Sequence, residues 1–198
     1  MKKIFLLFIC LLWLLFTPAI AEEEALHHWD NLKSIKVYIP QKHEYTSLMK
    51  KAFNEWESAS KGKVKFLYVS TPRQAQNIVV FNDMFSGSEL GTTATKQQAI
   101  CYPIYKRVNG KMQEICDEKN TTYVTVKIIT IAAKNPNSYK QMNNQEIYTI
   151  MLHEIGHSLG LPHSDNPKDL MYYQKYQGGA KGITQNDIKA LYKVYGWK

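Results

Sequence analysis

Residues His153–Ser164 read His-Glu-Ile-Gly-His-Ser-Leu-Gly-Leu-Pro-His-Ser, and no other stretch restricts so narrowly what the chain can fold into. If Asn144–Leu152 leads into the stretch as a helix, His153 and His157 stand four residues apart. Both rings then leave one face, about 6 Å apart along the axis, which suits two ligands on one metal. Gly160 can end the helix by taking a positive φ that a residue with a Cβ resists, and the turned chain can bring His163 round as a third ligand. Three histidines leave a fourth tetrahedral position open, as a catalytic zinc needs; structural zinc sites usually fill all four. Glu154, beside the first ligand, is placed to take a proton from the zinc-bound water. A bare pair of histidines at this spacing can equally cap an apolar helix face. It is the glycine and the third histidine at fixed offsets that move the reading to a metal.

The segment resembles the zinc-binding consensus of the metzincin metallopeptidases, and Ser164 after the third histidine resembles the matrixin branch. Leu170-Met171-Tyr172 resembles the Met-turn whose methionine underlies the zinc in that clan. Ile183–Gly196 resembles the last helix of matrixin catalytic domains. The resemblance implies an α+β fold, a twisted mixed β-sheet with three α-helices. It also implies a zinc metalloendopeptidase with His153, His157 and His163 as ligands and Glu154 as base. The family's second, structural zinc has no candidate ligands here, since the other histidines are only His27, His28 and His43, so one zinc ion per chain is expected.

At 198 residues and 44% hydrophobic content, one domain with a proper core is expected. Met1-Lys2-Lys3, the apolar run Ile4–Phe16 and Thr17–Ala21 have the three parts of a secretory signal. The run falls short of the ~20 residues of a membrane span, and a retained anchor is the competing reading. The predicted layout is therefore a signal over residues 1–21, a short segment over 22–34 and the catalytic domain over 35–198. Removing Lys2 and Lys3 with the signal leaves 23 basic and 17 acidic residues, a net charge of +6. The lysines are spread rather than clustered, which predicts a solvated surface and no nucleic-acid partner. Cys101 and Cys116 remain, an even pair in a chain bound for an oxidising compartment. Their disulfide would contribute about 3 kcal/mol in the chain-entropy account.

Along the chain, Ile35–Ile39 reads as a strand stopped at Pro40. His43–Ser60 reads as a helix burying Leu48, Ala52, Phe53, Trp56 and Ala59, ended by Gly62. Val64–Ser70 and Asn77–Phe81 are the next predicted strands. Leu90–Thr95 is a threonine-rich edge strand, and by resemblance it lies along the cleft and pairs with an extended peptide. Ile100–Thr121, with both cysteines and Asn109-Gly110, predicts a disulfide-tied hairpin outside the family's usual plan. Tyr123–Ala133 is a β-branched run fit for a central strand.

Tyr173 stands where matrixins usually carry proline, an arrangement similar to astacins and serralysins. It is read either as a movable fifth ligand or oxyanion donor, or as a tyrosine lining the substrate pocket, whose wall is expected to include residues 172–176. Met171 is read as packed support under the histidines. By its match in the last helix, Asp187 resembles the carboxylate that bonds the Met-turn backbone, and Thr184 is placed to cap that helix. Asn186 replaces the family aspartate that would receive a trimmed amino terminus. No thiol lies in Glu22–Ser34, which predicts emergence without cysteine-blocked latency, so that restraint would fall to a separate inhibitor or to narrow specificity. His27, His28 and His43 are expected to face solvent, and no calcium loop is evident, although backbone carbonyls could supply such a site. The expected state is a secreted or periplasmic monomer acting on protein or peptide. The rivals are a zinc amidase of cell-wall peptides and a non-catalytic binding protein with a structural zinc.

Overall fold

The computed structural model describes residues 28–173 and 181–198; the expected signal, residues 22–27 and residues 174–180 lie outside. Pro40 stops the first strand, β1 (Ile35–Tyr38), as predicted. The first helix, α1 (Thr46–Ala59), begins three residues later than its periodicity suggests. The Thr46 hydroxyl donates to Pro40 O and Thr46 N–H to His43 O, so residues before it are held in a turn. Its buried stripe is Thr46, Met49, Ala52, Phe53 and Trp56, whereas Leu48 and Ala59 are only partly covered. Leu48 and Met49 are neighbours around the helix, and apolar spacing alone cannot decide which faces inward. The pliant Met49 takes the inner place. The helix ends where Lys61 and Gly62 both take positive φ.

Four more strands complete the main sheet: β2 (Phe66–Tyr68), β3 (Asn77–Asn82), β4 (Gly91–Cys101) and, after a hairpin, β7 (Thr121–Ala132). Their order is β2-β1-β3-β7-β4; the first four run parallel, and β4 lies antiparallel to β7 at the edge. The predicted edge strand is thus at an edge, longer than its threonine-rich part. Between β4 and β7 stand β5 (Ile104–Val108) and β6 (Lys111–Ile115), a separate two-stranded ribbon turning at Asn109 and Gly110, both at positive φ. The Cys101–Cys116 disulfide ties its base.

Two more helices follow, α2 (Asn144–Ser158) and α3 (Gln185–Val194). Ile35 and Val37 of β1, Val79 of β3, and Ile129 and Ile131 of β7 enter one core with Phe53 and Trp56 of α1 and Ile147, Met151 and Ile155 of α2. Burial of side chains this size contributes about 1.5–3 kcal/mol each. The stretch before β1, polar by composition, adds Trp29 and Leu32 to that core. Among the described residues, no helix is long and apolar enough to cross a membrane.

Candidate active site

The α2 helix starts on a capping box. Asn143 accepts from the N–H groups of Gln145 and Glu146, and Glu146 reaches back to the Asn143 N–H. From there α2 runs through the core and is buried almost all round. Gly160, at φ +88°, turns the chain beyond it. A Cβ there would also meet the His28 ring, 2.6 Å from Cδ2, so the glycine serves both the turn and the packing of the N-terminal segment.

Through this turn His163 joins His153 and His157, and one ring nitrogen from each lies within 4.8 Å of the others. His153 Nδ1 is 2.9 Å from Leu170 O, and His157 Nδ1 is 2.8 Å from Leu161 O. A carbonyl accepts only from N–H, so both rings carry the proton on Nδ1 and turn the Nε2 lone pair inward. His157 Nε2 and His163 Nε2 stand 3.2 Å apart, close to the ~3.4 Å separating two nitrogens on one tetrahedral zinc with bonds of about 2.1 Å. Converging imidazoles with tautomers fixed by carbonyls fit a zinc ion. Among the described residues this is the only such cluster of metal-capable side chains. His28 is exposed, while His43, expected in solvent, is half-buried and stacked on Phe81 at 4.3 Å between centroids.

Glu154 is 4% exposed. Its Oε2 accepts from the Thr93 hydroxyl of β4 at 2.9 Å. Below the histidines, Met171 fills the space left by Gly156: a Cβ on that glycine would sit 2.4 Å from Met171 Sδ and 3.2 Å from Trp56 Cζ2. Asp187 binds the turn as its place in the sequence predicts. Its carboxylate accepts from Leu170 N–H and Met171 N–H, each at 3.1 Å, and from Thr184 N–H at 2.7 Å. Thr184 caps α3 in return. Asn186 donates to Asp169 Oδ1 at 3.0 Å, and Asp169 also accepts from Ser164 and Asn166. The residue that departs from the family pattern thus ties α3 to the loop behind His163. Ser164 N–H donates to Met171 O at 2.8 Å, which locks the third histidine to the methionine turn.

The carboxyl end of α2 has partners that sequence reading missed. Trp29 Nε1–H donates to Ser158 O at 2.8 Å, and the Tyr195 hydroxyl donates to Leu159 O at 2.8 Å. Lys127 of β7, 1% exposed, reaches His157 O and lies 5.5 Å from the centre of the Trp29 ring. Burial pushes its ammonium down to about 8 and also raises the Tyr195 phenol. A cation at a helix carboxyl end meets the negative end of the dipole. The only sequence sign of this lysine was a charge interrupting a β-branched strand.

The profile of the matrixin peptidase family matches residues 28–196. The chain belongs to the matrixins. It is 28% identical over 82% of its length to a protein of Trichoplusia ni ascovirus 2c assigned as a matrix metalloproteinase, covering 31% of that protein. Shorter matches join it to macrophage metalloelastase of Rattus norvegicus, 36% identical over 29% of the chain, and to interstitial collagenase of Oryctolagus cuniculus, 39% over 29%. These cover 13% and 12% of the two relatives, so this matrixin chain spans under a third of each protein named. Matrixins bind zinc, and the histidine cluster agrees with that. Tyr173 is 57% exposed, its ring centroid 6.4 Å from that of His163. A hydrogen bond with Tyr173 raises the phenol of Tyr172. Of the expected pocket wall, 174–176 fall outside the described residues.

Proposed function

We propose that this matrixin is a secreted zinc metalloendopeptidase, made with residues 1–21 as a removable signal and with its catalytic domain following the segment 22–34. His153, His157 and His163 are the metal ligands, and Glu154 is the general base. The observation that carries the reading is the set of three imidazoles converging beside a buried carboxylate. When bound, zinc supplies a Lewis acid that lowers the pKa of water and polarises a carbonyl. Glu154 takes the proton of the attacking water and passes it to the leaving amine, so one carboxylate serves both halves of the cleavage. The Leu170 and Leu161 carbonyls hold two imidazoles in the tautomer that presents Nε2. β4, at the edge of the sheet and with its outer side unpaired among the described residues, offers N–H and C=O groups to an extended peptide, which supports protein or peptide as the substrate class. Tyr173 stands at the rim beside His163, where its hydroxyl can donate to the developing oxyanion.

The test is zinc content and cleavage of denatured proteins, peptides and cell-wall fragments by the signal-free protein and by Glu154→Gln. One zinc in both, with peptide cleavage lost only in the variant, is expected. Cleavage of cell-wall fragments alone would make the protein an amidase. Zinc in both proteins without cleavage of any substrate would favour a binding protein. Unchanged turnover in Tyr173→Phe would remove the oxyanion role. Sequencing the amino terminus of exported protein tests the cut after Ala21.

A further inference from the structure

Two residues of β4 approach Glu154, and they are two apart, so they share the strand face turned toward α2. One is Gly91. A Cβ at that position would lie 2.7 Å from Glu154 Cγ and 2.6 Å from Ile150 Cγ2, so strand backbone presses directly on the stem of the acid. The other is Thr93. Its Oγ1 stands 2.9 Å from Glu154 Oε2 and also 2.9 Å from the Glu154 carbonyl oxygen. Those acceptors differ in freedom. The carbonyl is fixed by the helix, whereas the carboxylate hangs on a stem of rotatable bonds. A hydroxyl within reach of both ties the movable group to the rigid one.

We infer that Thr93 is a positioning residue for Glu154: its hydroxyl, with the wall at Gly91, fixes the rotation of the carboxylate and so the aim of its oxygens. The inference rests on reading Glu154 as the base. It also gives β4 a second task, since the strand proposed to pair with the peptide carries the group that aims the base. Seating of the peptide and alignment of the carboxylate then share one rigid element, and an error of about 1 Å in such alignment can cost about 100-fold in rate.

The test compares Thr93→Val, which keeps the shape and removes the donor, with Thr93→Ser, which keeps the donor and removes the methyl, alongside Glu154→Gln. In the zinc-loaded proteins, Thr93→Val should lower kcat about 10- to 100-fold with KM within about twofold, and Thr93→Ser should recover most of that loss. A second readout needs neither metal nor turnover: the 13C resonance of the Glu154 carboxyl carbon in the metal-free protein, assigned by its loss in Glu154→Gln. It should move in Thr93→Val and stay near its original position in Thr93→Ser. Wild-type kcat in Thr93→Val, equal losses in both variants, or an unmoved resonance would each overturn the inference while leaving the base intact. Undiminished turnover in Glu154→Gln would instead remove the reading of the base, and this inference with it.

Discussion

The surroundings of α2 and the β5–β6 ribbon are held together by opposite means. Around α2, polar groups from distant parts of the chain meet in the interior: Asp187 from α3, Thr93 from β4, Trp29 from the N-terminal segment, Lys127 from β7. Among the described residues, the strands of the ribbon pair only with each other. Every residue of β5 is exposed, and Tyr105 and Met112 keep 62% and 61% of their surface in solvent. A covalent bond, Cys101–Cys116, stands where packing is missing. Buried hydrogen bonds cost stability steeply when one partner is removed, whereas a disulfide on an exposed ribbon mainly restricts the unfolded chain. The comparison teaches that one sheet carries a rigid site and a loosely supported arm, and that the two should fail separately.

The sharpest way to break that contrast is Asp187→Ala. Two Met-turn N–H groups and the Thr184 N–H lose their acceptor. With ~1–3 kcal/mol for each buried unmet group, partly relieved by relaxation, a loss of about 4 kcal/mol in urea unfolding is expected, together with weaker zinc binding. A loss under about 1 kcal/mol would show the site to be as loosely held as the ribbon.

Lys127 gives the next effect, read in pH. Its folded pKa of about 8 lies below the ordinary 10.5, so the unfolded chain binds the extra proton between those values. Stability contributed by the neutral amine is therefore absent below about pH 8 and grows as pH rises toward 10. The full shift corresponds to about 3 kcal/mol. Lys127→Met should flatten the slope of unfolding free energy between pH 8 and 10 relative to wild type. Equal slopes in the two proteins would place this lysine in water.

The smallest effect is expected at the ribbon. Replacing Cys101 and Cys116 together by serine should cost less than the ~3 kcal/mol of the chain-entropy account, because the freed ribbon frays in the folded state and regains entropy there. Hydrogen exchange should quicken within residues 102–119 while zinc content stays at one ion. Loss of zinc in the double variant would mean that the ribbon supports the site after all.

Much of the site was legible because its chemistry is local. The spacing of His153 and His157, Glu154 beside the first of them, and the glycine that turns the chain toward His163 all act within a few residues of one another. Asp187 and Thr184 were legible through their match to a known last helix. Other members carry no local sign. Gly91, Gly156 and Thr93 look ordinary until a second element is laid against them, and the matter of Leu48 or Met49 in α1 is settled by what packs opposite.

By itself the sequence determined the backbone periodicities, the caps and turns, the donor types and their spacing along one helix, since those depend on interactions between near neighbours. Only the tertiary structure decided the rest: that β4 takes the edge beside Glu154, that Trp29 and Lys127 close the carboxyl end of α2, and that Met171 fills the hollow left by Gly156. Each of these joins residues far apart in the chain. Their contact follows from filling one core at close packing, a condition met by the whole chain and by no segment of it alone.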